Sequence, residues 1–392
     1  MTFYLFGDIL GLPIIKGVLK MKKQTKRVVA LFTAMLLLFS CFSVAAFAAE
    51  SDFEWSEKDG KAVITKYVGT SKDVKVPRTL GGLTVTEIGS QAFAFCGIEK
   101  IELPNTIEKI GDGAFWQSFF TSFEIPLKVT EIAANTFREC HLLANINLND
   151  GIKSIGEFAF QDCNALTKIV IPDSVEKLGD AAFYSCRGLK TIEIPESITE
   201  IPMYTFFCCM ELTQVKWHDG ITSIGEAAFN QCTSLENIEL PAGLTVVGSR
   251  AFGICKSLKT VVIPKSVETI EQGAFRECDA LKKVVVANPD CAIYEDEKTV
   301  PESAVLYGVK DSTADKYADK YGLDFIEIEI PMIGDVDGNF SVTAADARLA
   351  LRISAKLHVP DETQKSVADI DKNGKVNASD ARKILRIAAK ID

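Results

Sequence analysis

Two stretches near the C-terminus carry residue types that do recognisable chemistry. Asp335-Val336-Asp337-Gly338-Asn339-Phe340-Ser341-Val342-Thr343-Ala344-Ala345-Asp346 is a 12-residue run with side-chain oxygens at positions 1, 3, 5, 9 and 12. Thirty-four residues on, Asp369-Ile370-Asp371-Lys372-Asn373-Gly374-Lys375-Val376-Asn377-Ala378-Ser379-Asp380 repeats it. Ca2+ takes about six to eight hard oxygen ligands, and alternating acidic and amide side chains on a tight loop supply them. The expected ligands are Asp335, Asp337, Asn339, Thr343 and Asp346, with the backbone carbonyl of Ser341 at position 7. In the second run they are Asp369, Asp371, Asn373, Asn377 and Asp380, with Lys375 at position 7. A single D-x-D-x-N is a weak signal. Two copies in an internal repeat, each with Asp at position 12 and a helix behind it, make a strong one. The cofactor expectation is therefore Ca2+ at two sites.

The elements that must position these loops are helices. An amphipathic helix is expected after each, over Ala345–Ala355 and Ser379–Ala389. The pair resembles a type I dockerin, covering residues 334–392. That resemblance implies a small calcium-stabilised module of two loop–helix halves that plugs into a cohesin on a scaffold or cell-surface protein. Carried over by position, its cohesin contacts fall on Ala344, Ala345, Leu351 and Arg352 in the first half. In the second half they fall on Ala378, Ser379, Leu385 and Arg386. The two sets are similar but not identical, so either helix can serve as the main contact. The sequence departs from the calcium-loop pattern in two ways. Both loops end in Asp where an EF-hand has Glu, and Phe340 occupies position 6, where a left-handed glycine is usual. A non-glycine residue in that conformation costs about 1–2 kcal/mol, so the first loop is expected to bind calcium more weakly or to turn differently. The alternative for the whole module is a structural calcium clip with no partner.

No stretch of the sequence offers catalysis. His141, His218 and His358 are scattered, and no H-E-x-x-H, G-x-S-x-G or phosphate loop is present. The expectation is no enzyme. An enzymatic subunit would need carboxylates converging in a pocket.

The rest of the chain is organised by repetition. Phe137, Phe160, Phe183, Phe206, Phe229, Phe252 and Phe275 are 23 residues apart, and Phe93 and Phe115 extend the series upstream at a spacing of 22. A fixed period in this range means a solenoid whose coils bury their apolar faces on one another. Each unit reads I-x-I-P, then V-x-x-I-G, then A-F-x-x-C, as from Ile169 through Cys186. The alternation in I-x-I suits a half-buried strand, and proline ends it because it has no N–H for the ladder. The glycine suits a bend, although Ala133, Pro202 and Glu271 replace it in other coils. A-F-x-x-C is expected to form a short helical or irregular convex turn that sends Phe inward. The unit resembles the BspA-type leucine-rich repeat of bacterial surface and secreted proteins, over about residues 60–290. The fold class is thus a leucine-rich-repeat solenoid of about nine coils of 22–23 residues, followed by a small α-helical dockerin.

Three residues after those phenylalanines stand Cys96, Cys140, Cys163, Cys186, Cys209, Cys232, Cys255 and Cys278; Ser118 interrupts the series. Neighbouring coils are close enough for disulfides, yet one position filled alike in every coil reads more simply as a small buried side chain. Reduced core thiols are expected. On the solvent face of the sheet the central positions run Glu102, Glu124, Asn147, Val170, Glu193, Lys216, Glu239, Val262 and Val285, a mixed surface without aromatics. Trp116, Tyr184 and Phe207, with Phe119 nearby, either form a protein-binding patch or pack on neighbouring coils.

The organisation expected is an upstream extension and signal peptide (1–48), an opening cap (49–90), repeats (91–288), a closing cap (289–331) and the dockerin (332–392). Met21 is the better start. Lys22, Lys23, Lys26 and Arg27 precede an apolar core from Val28 to Phe39, and Ala46-Phe47-Ala48 fits signal cleavage. An uncleaved anchor and a lipidated Cys41 are the alternatives. In the closing cap Thr313 is expected to cap a short helix and Gly322 to end it.

The whole chain has 43 basic and 53 acidic side chains. The product cleaved after Ala48 has 37 and 52, a formal charge of −15. That charge disfavours nucleic acid and anionic membrane as partners. The reading is a secreted, noncatalytic interaction protein with no membrane span once mature, attached by its dockerin to a cohesin in a cellulosome-like assembly. Its solenoid would take a protein ligand. The alternative is a surface adhesin for host or neighbouring-cell protein, with the dockerin as anchor only.

Overall fold

The computed structural model describes residues 49–329, 332–338 and 342–389. The readings of the signal peptide, of Met21 as the start and of Cys41 lie outside the described residues. So do the ligands expected at Asn339 and Ser341, and the turn at Phe340.

The solenoid opens with a hairpin of β1 (Phe53–Lys58) and β2 (Lys61–Tyr67), antiparallel from Lys58↔Lys61 outward. Asp59 and Gly60 both have positive φ (52° and 73°), the turn that matches strand twist. β2 pairs in parallel with Leu83–Ile88, which also takes Thr79–Leu80 as an antiparallel partner, and from there pairing runs parallel, coil on coil. The I-x-I segments form a first parallel ladder, interrupted into several short sheets, with partners 23 residues apart such as Thr191↔Gln214 and Thr260↔Lys283. The V-x-x-I segments form a second ladder of two-residue strands, for example Ser154↔Lys177 and Ser223↔Val246. Backbone groups two residues before the glycine face the next coil, so they pair there as readily as in the first ladder.

The core is a column of rings. Phe93, Phe115, Phe137, Phe160, Phe183, Phe206, Phe229, Phe252 and Phe275 are each fully buried. Successive centroids lie 5.2–5.8 Å apart with interplanar angles of 25° or less. Tyr67 of the hairpin continues the column 5.5 Å from Phe93.

On the convex side the chain alternates between right- and left-handed residues. The positions two before and two after each core Phe have positive φ in every coil, as at Asn135 and Glu139 or Ala181 and Ser185. Glycine stands at only two of them, Gly113 and Gly273. This alternation aligns every second peptide along the solenoid. Phe160 N–H donates to Ala182 O (2.8 Å), and Asp162 N–H donates to Tyr184 O (2.8 Å), in the coil that follows. The caps close both ends of this array. Tyr67 N–H donates to Ala92 O (2.7 Å) at the start, and Phe275 N–H donates to Thr299 O (3.1 Å) at the finish.

The glycine of V-x-x-I-G is not left-handed. A Cβ at Gly156 or Gly179 would stand 2.6 Å or 2.4 Å from the backbone nitrogen of the preceding coil, so close approach is what excludes a side chain there. The closing cap is helix α1 (Thr313–Tyr321), ended by left-handed Gly322. Ser312, not Thr313, is its N-cap: the Ser312 hydroxyl accepts from Asp315 N–H, while Thr313 Oγ1 donates to Cys291 O (2.6 Å). Both hydroxyls can cap, and the anchor on the last coil decides which one does.

Candidate metal centre and docking face

The two acidic loops are built on helices α2 (Ala344–Ser354) and α4 (Ala378–Ala388), with the short α3 (Glu362–Ala368) between them. Val336, Ala347, Ala350, Ile353, Val367, Ala368, Ala381 and Ile384 form a core separate from that of the solenoid. This core takes one apolar stripe from each helix, as the spacing of Ala347, Ala350 and Ile353 requires.

The structure brings the expected carboxylates together. Asp335, Asp337 and Asp346 each place an oxygen within 4.8 Å of the others, and so do Asp369, Asp371 and Asp380. Three clustered carboxylates on a tight loop supply hard oxygens of the kind Ca2+ takes, and they fit that ion as part of its ligand set. Asp346 is fully buried and accepts from the N–H groups of Val336 (2.8 Å), Asp337 (3.0 Å) and Thr343 (2.7 Å). Asp380, equally buried, accepts from Asp371 N–H (3.4 Å) and Asn377 N–H (3.0 Å). In the second loop Asp369 takes the N–H groups of Asn373 and Gly374.

Position 9 has a second task that sequence reasoning missed. Thr343 Oγ1 accepts from Ala345 N–H, and Asn377 Oδ1 accepts from Ser379 N–H. Each is the N-cap of its helix, and the position-12 Asp closes the capping box. The signal was present as T-x-x-D and N-x-x-D ahead of an apolar run. With its side chain engaged in the cap, position 9 is suited to reach an ion through water. Lys375 O accepts from Asn377 Nδ2 (3.2 Å).

Position 4 is left-handed in both loops, at Gly338 (φ 76°) and Lys372 (φ 56°), and Gly374 at position 6 is left-handed too (φ 83°). The first loop therefore carries its glycine where the second carries a strained lysine. The ammonium of Lys383 on α4 also reaches Asp371 Oδ2 at 3.1 Å. Its hydrogen bond holds the Asp371 carboxyl below the usual carboxylate range.

All eight residues carried over as docking contacts, Ala344, Ala345, Leu351, Arg352, Ala378, Ser379, Leu385 and Arg386, are exposed. Leu351 and Leu385 each keep 48% of their surface open to solvent.

On the solenoid the aromatic candidates pack largely on one another. Trp116 lies 5.1 Å from Phe95 with the Arg138 guanidinium 4.5 Å over its ring, and Tyr184 stacks on Phe207 at 4.7 Å. Phe95 and Phe119 stay exposed. The cysteines of the repeat are unbridged. The thiols of Cys163, Cys186, Cys209, Cys232 and Cys255 each donate to the carbonyl of the core Phe one coil back, as Cys163 Sγ does to Phe137 O (3.2 Å). Among the described residues no helix is long and apolar enough to cross a membrane.

Comparison with known proteins agrees with this anatomy. The BspA type leucine rich repeat region matches residues 74–169 and 153–282, and the dockerin type I domain matches 333–386. Among solved structures, a leucine-rich repeat protein of T. pallidum is 28% identical, covering 54% of this chain and 90% of its own, with a TM-score of 0.39. A leucine-rich cell surface protein of Faecalibacterium prausnitzii is 22% identical over 71% of this chain and 94% of its own (TM-score 0.34). The pneumococcal vaccine antigen PcpA is 18% identical over 73% and 100% (TM-score 0.41). No curated protein matches the chain. These superpositions are loose, and the assignment rests on the repeat match. The chain belongs to the BspA-type leucine-rich repeat family and carries a type I dockerin domain at its C-terminal end.

Proposed function

We propose that this protein is a secreted, noncatalytic interaction subunit whose dockerin, folded around two Ca2+ ions, docks on a cohesin of a scaffold or cell-surface assembly and presents the solenoid there. The observation that carries this reading is the duplicated loop–helix unit, with its paired carboxylate triads and its exposed Leu351/Arg352 and Leu385/Arg386 pairs. Neither module is catalytic in kind, so attachment and recognition are the roles left to them. Asp335, Asp337, Asp346, Asp369, Asp371 and Asp380 would ligate through carboxylates, and position 7 through its backbone carbonyl. A cellulosome-like complex is the setting such a dockerin suits.

The test is a pulldown from secreted and surface proteins of the native organism, with residues 49–392 as bait, in calcium and then in chelator. Capture of a cohesin-bearing protein in calcium alone supports docking. A calcium-folded bait that captures none leaves the module as a structural clip. The exposure of Phe95 and Phe119 favours a second reading, an adhesin whose solenoid binds protein while the dockerin only anchors it. Binding of a matrix protein that is lost in Phe95→Ser and Phe119→Ser, with cohesin capture intact, would favour that reading.

A further inference from the structure

Besides the turn positions, the two halves of the dockerin differ at a helix position that bears on the metal. Lys383 stands three residues after the position-12 Asp380, and its ammonium lies 3.1 Å from Asp371 Oδ2. The residue 34 positions earlier is Leu349, which packs partly buried against the dockerin core. The second loop thus holds an internal cation against a ligand carboxylate, and the first has leucine there. Lys383 also shares a helix face with two docking positions. Ser379, Lys383 and Arg386 are spaced i, i+4 and i+7, which puts them on one side of α4.

We propose that Lys383 is a built-in competitor for the second calcium loop: it weakens calcium there, and when calcium engages Asp371 its ammonium is released onto the face that carries Ser379 and Arg386. The physical basis is charge. A divalent ion entering the Asp369–Asp371–Asp380 cluster meets a positive charge already paired with one of its ligands. That pair must be broken or loosened before Asp371 can give its full charge to the ion. The contact is partly exposed, so the effect is moderate rather than prohibitive. The proposal rests on the calcium-binding reading of the loops. It adds that calcium frees a positive charge on the docking face of α4.

Two measurements on the chain from residue 49 to 392 test it. Calorimetric calcium titration should give one transition about three- to tenfold tighter in Lys383→Gln and Lys383→Leu than in the parent, with any second transition unmoved. Amine-reactive labelling read by mass spectrometry should show Lys383 gaining reactivity on calcium addition, relative to Lys356 and Lys365 of the same module. Unchanged or weakened affinity in both variants, or Lys383 labelling that does not rise, overturns the role of Lys383 and leaves the dockerin reading standing. No calcium binding in parent or variants overturns both.

Discussion

A thiol surrounded by hydrocarbon resists ionisation, because the thiolate loses its hydration there. Burial pushes Cys140 up to about 12 and raises Cys163, Cys186, Cys209, Cys232 and Cys255 as well. The folded-state values exceed the unfolded one, so the thiols' contribution is complete below the unfolded pKa and is withdrawn as pH rises from it toward the folded values. Each such thiol then removes about 1.4 kcal/mol per pH unit. The solenoid is expected to hold from neutral pH to about 8.5 and to unfold steeply above it, with circular dichroism melts at stepped pH as the check. A native chain at pH 8 should leave these thiols unmodified by a thiol reagent that reaches them once it is denatured. At Lys372 the left-handed backbone argues for glycine, and Lys372→Gly should stabilise the calcium-loaded second loop by about 1 kcal/mol. Calcium titration read beside thermal melting would show it, and no change would mean that the loop leaves this conformation when loaded.

Among the elements, the ring column and the close approach of coils carry most of the stability argument. Phe183 lies between two neighbours at 5.3 and 5.6 Å and is fully buried, so Phe183→Ala should cost about 3–5 kcal/mol. Denaturant melts of the two chains give that difference directly. Gly179→Ala should be costly as well, since its Cβ would meet the Glu157 backbone nitrogen at 2.4 Å. Ala133, at the corresponding place, shows that a coil can be spaced to admit a methyl group. Gly179→Ala melting like the parent would mean that coils shift apart at little cost.

For the whole molecule, the two hydrophobic cores share no residue, which predicts separable unfolding. Ligand binding stabilises only what it binds, so chelation should lower the melting of the dockerin while the solenoid transition stays in place. Differential scanning calorimetry in calcium and in chelator resolves the two. A single transition moved by chelator would mean that the modules unfold as one. Deleting residues 49–67 removes Tyr67 from the head of the ring column and leaves Ala92 O without its donor. That chain should expose the first coil and aggregate, as an uncapped solenoid does.

What the sequence determined by itself was whatever repeats at a fixed interval: the coil, its inward Phe, the stacked Cys and the two acidic loops. Periodicity makes such features legible because each position meets the same neighbours in every coil. The tertiary structure decided what depends on the coil next door. The second ladder arises because backbone at V-x-x-I meets its copy 23 residues on. The left-handed residues beside each Phe carry little composition signal, Ala181, Tyr204 and Arg250 among them, since hydrogen bonds to the following coil hold the conformation that side chains elsewhere avoid. The reach of Lys383 to Asp371 was likewise invisible in the chain, because it exists only once helix and loop have closed on each other.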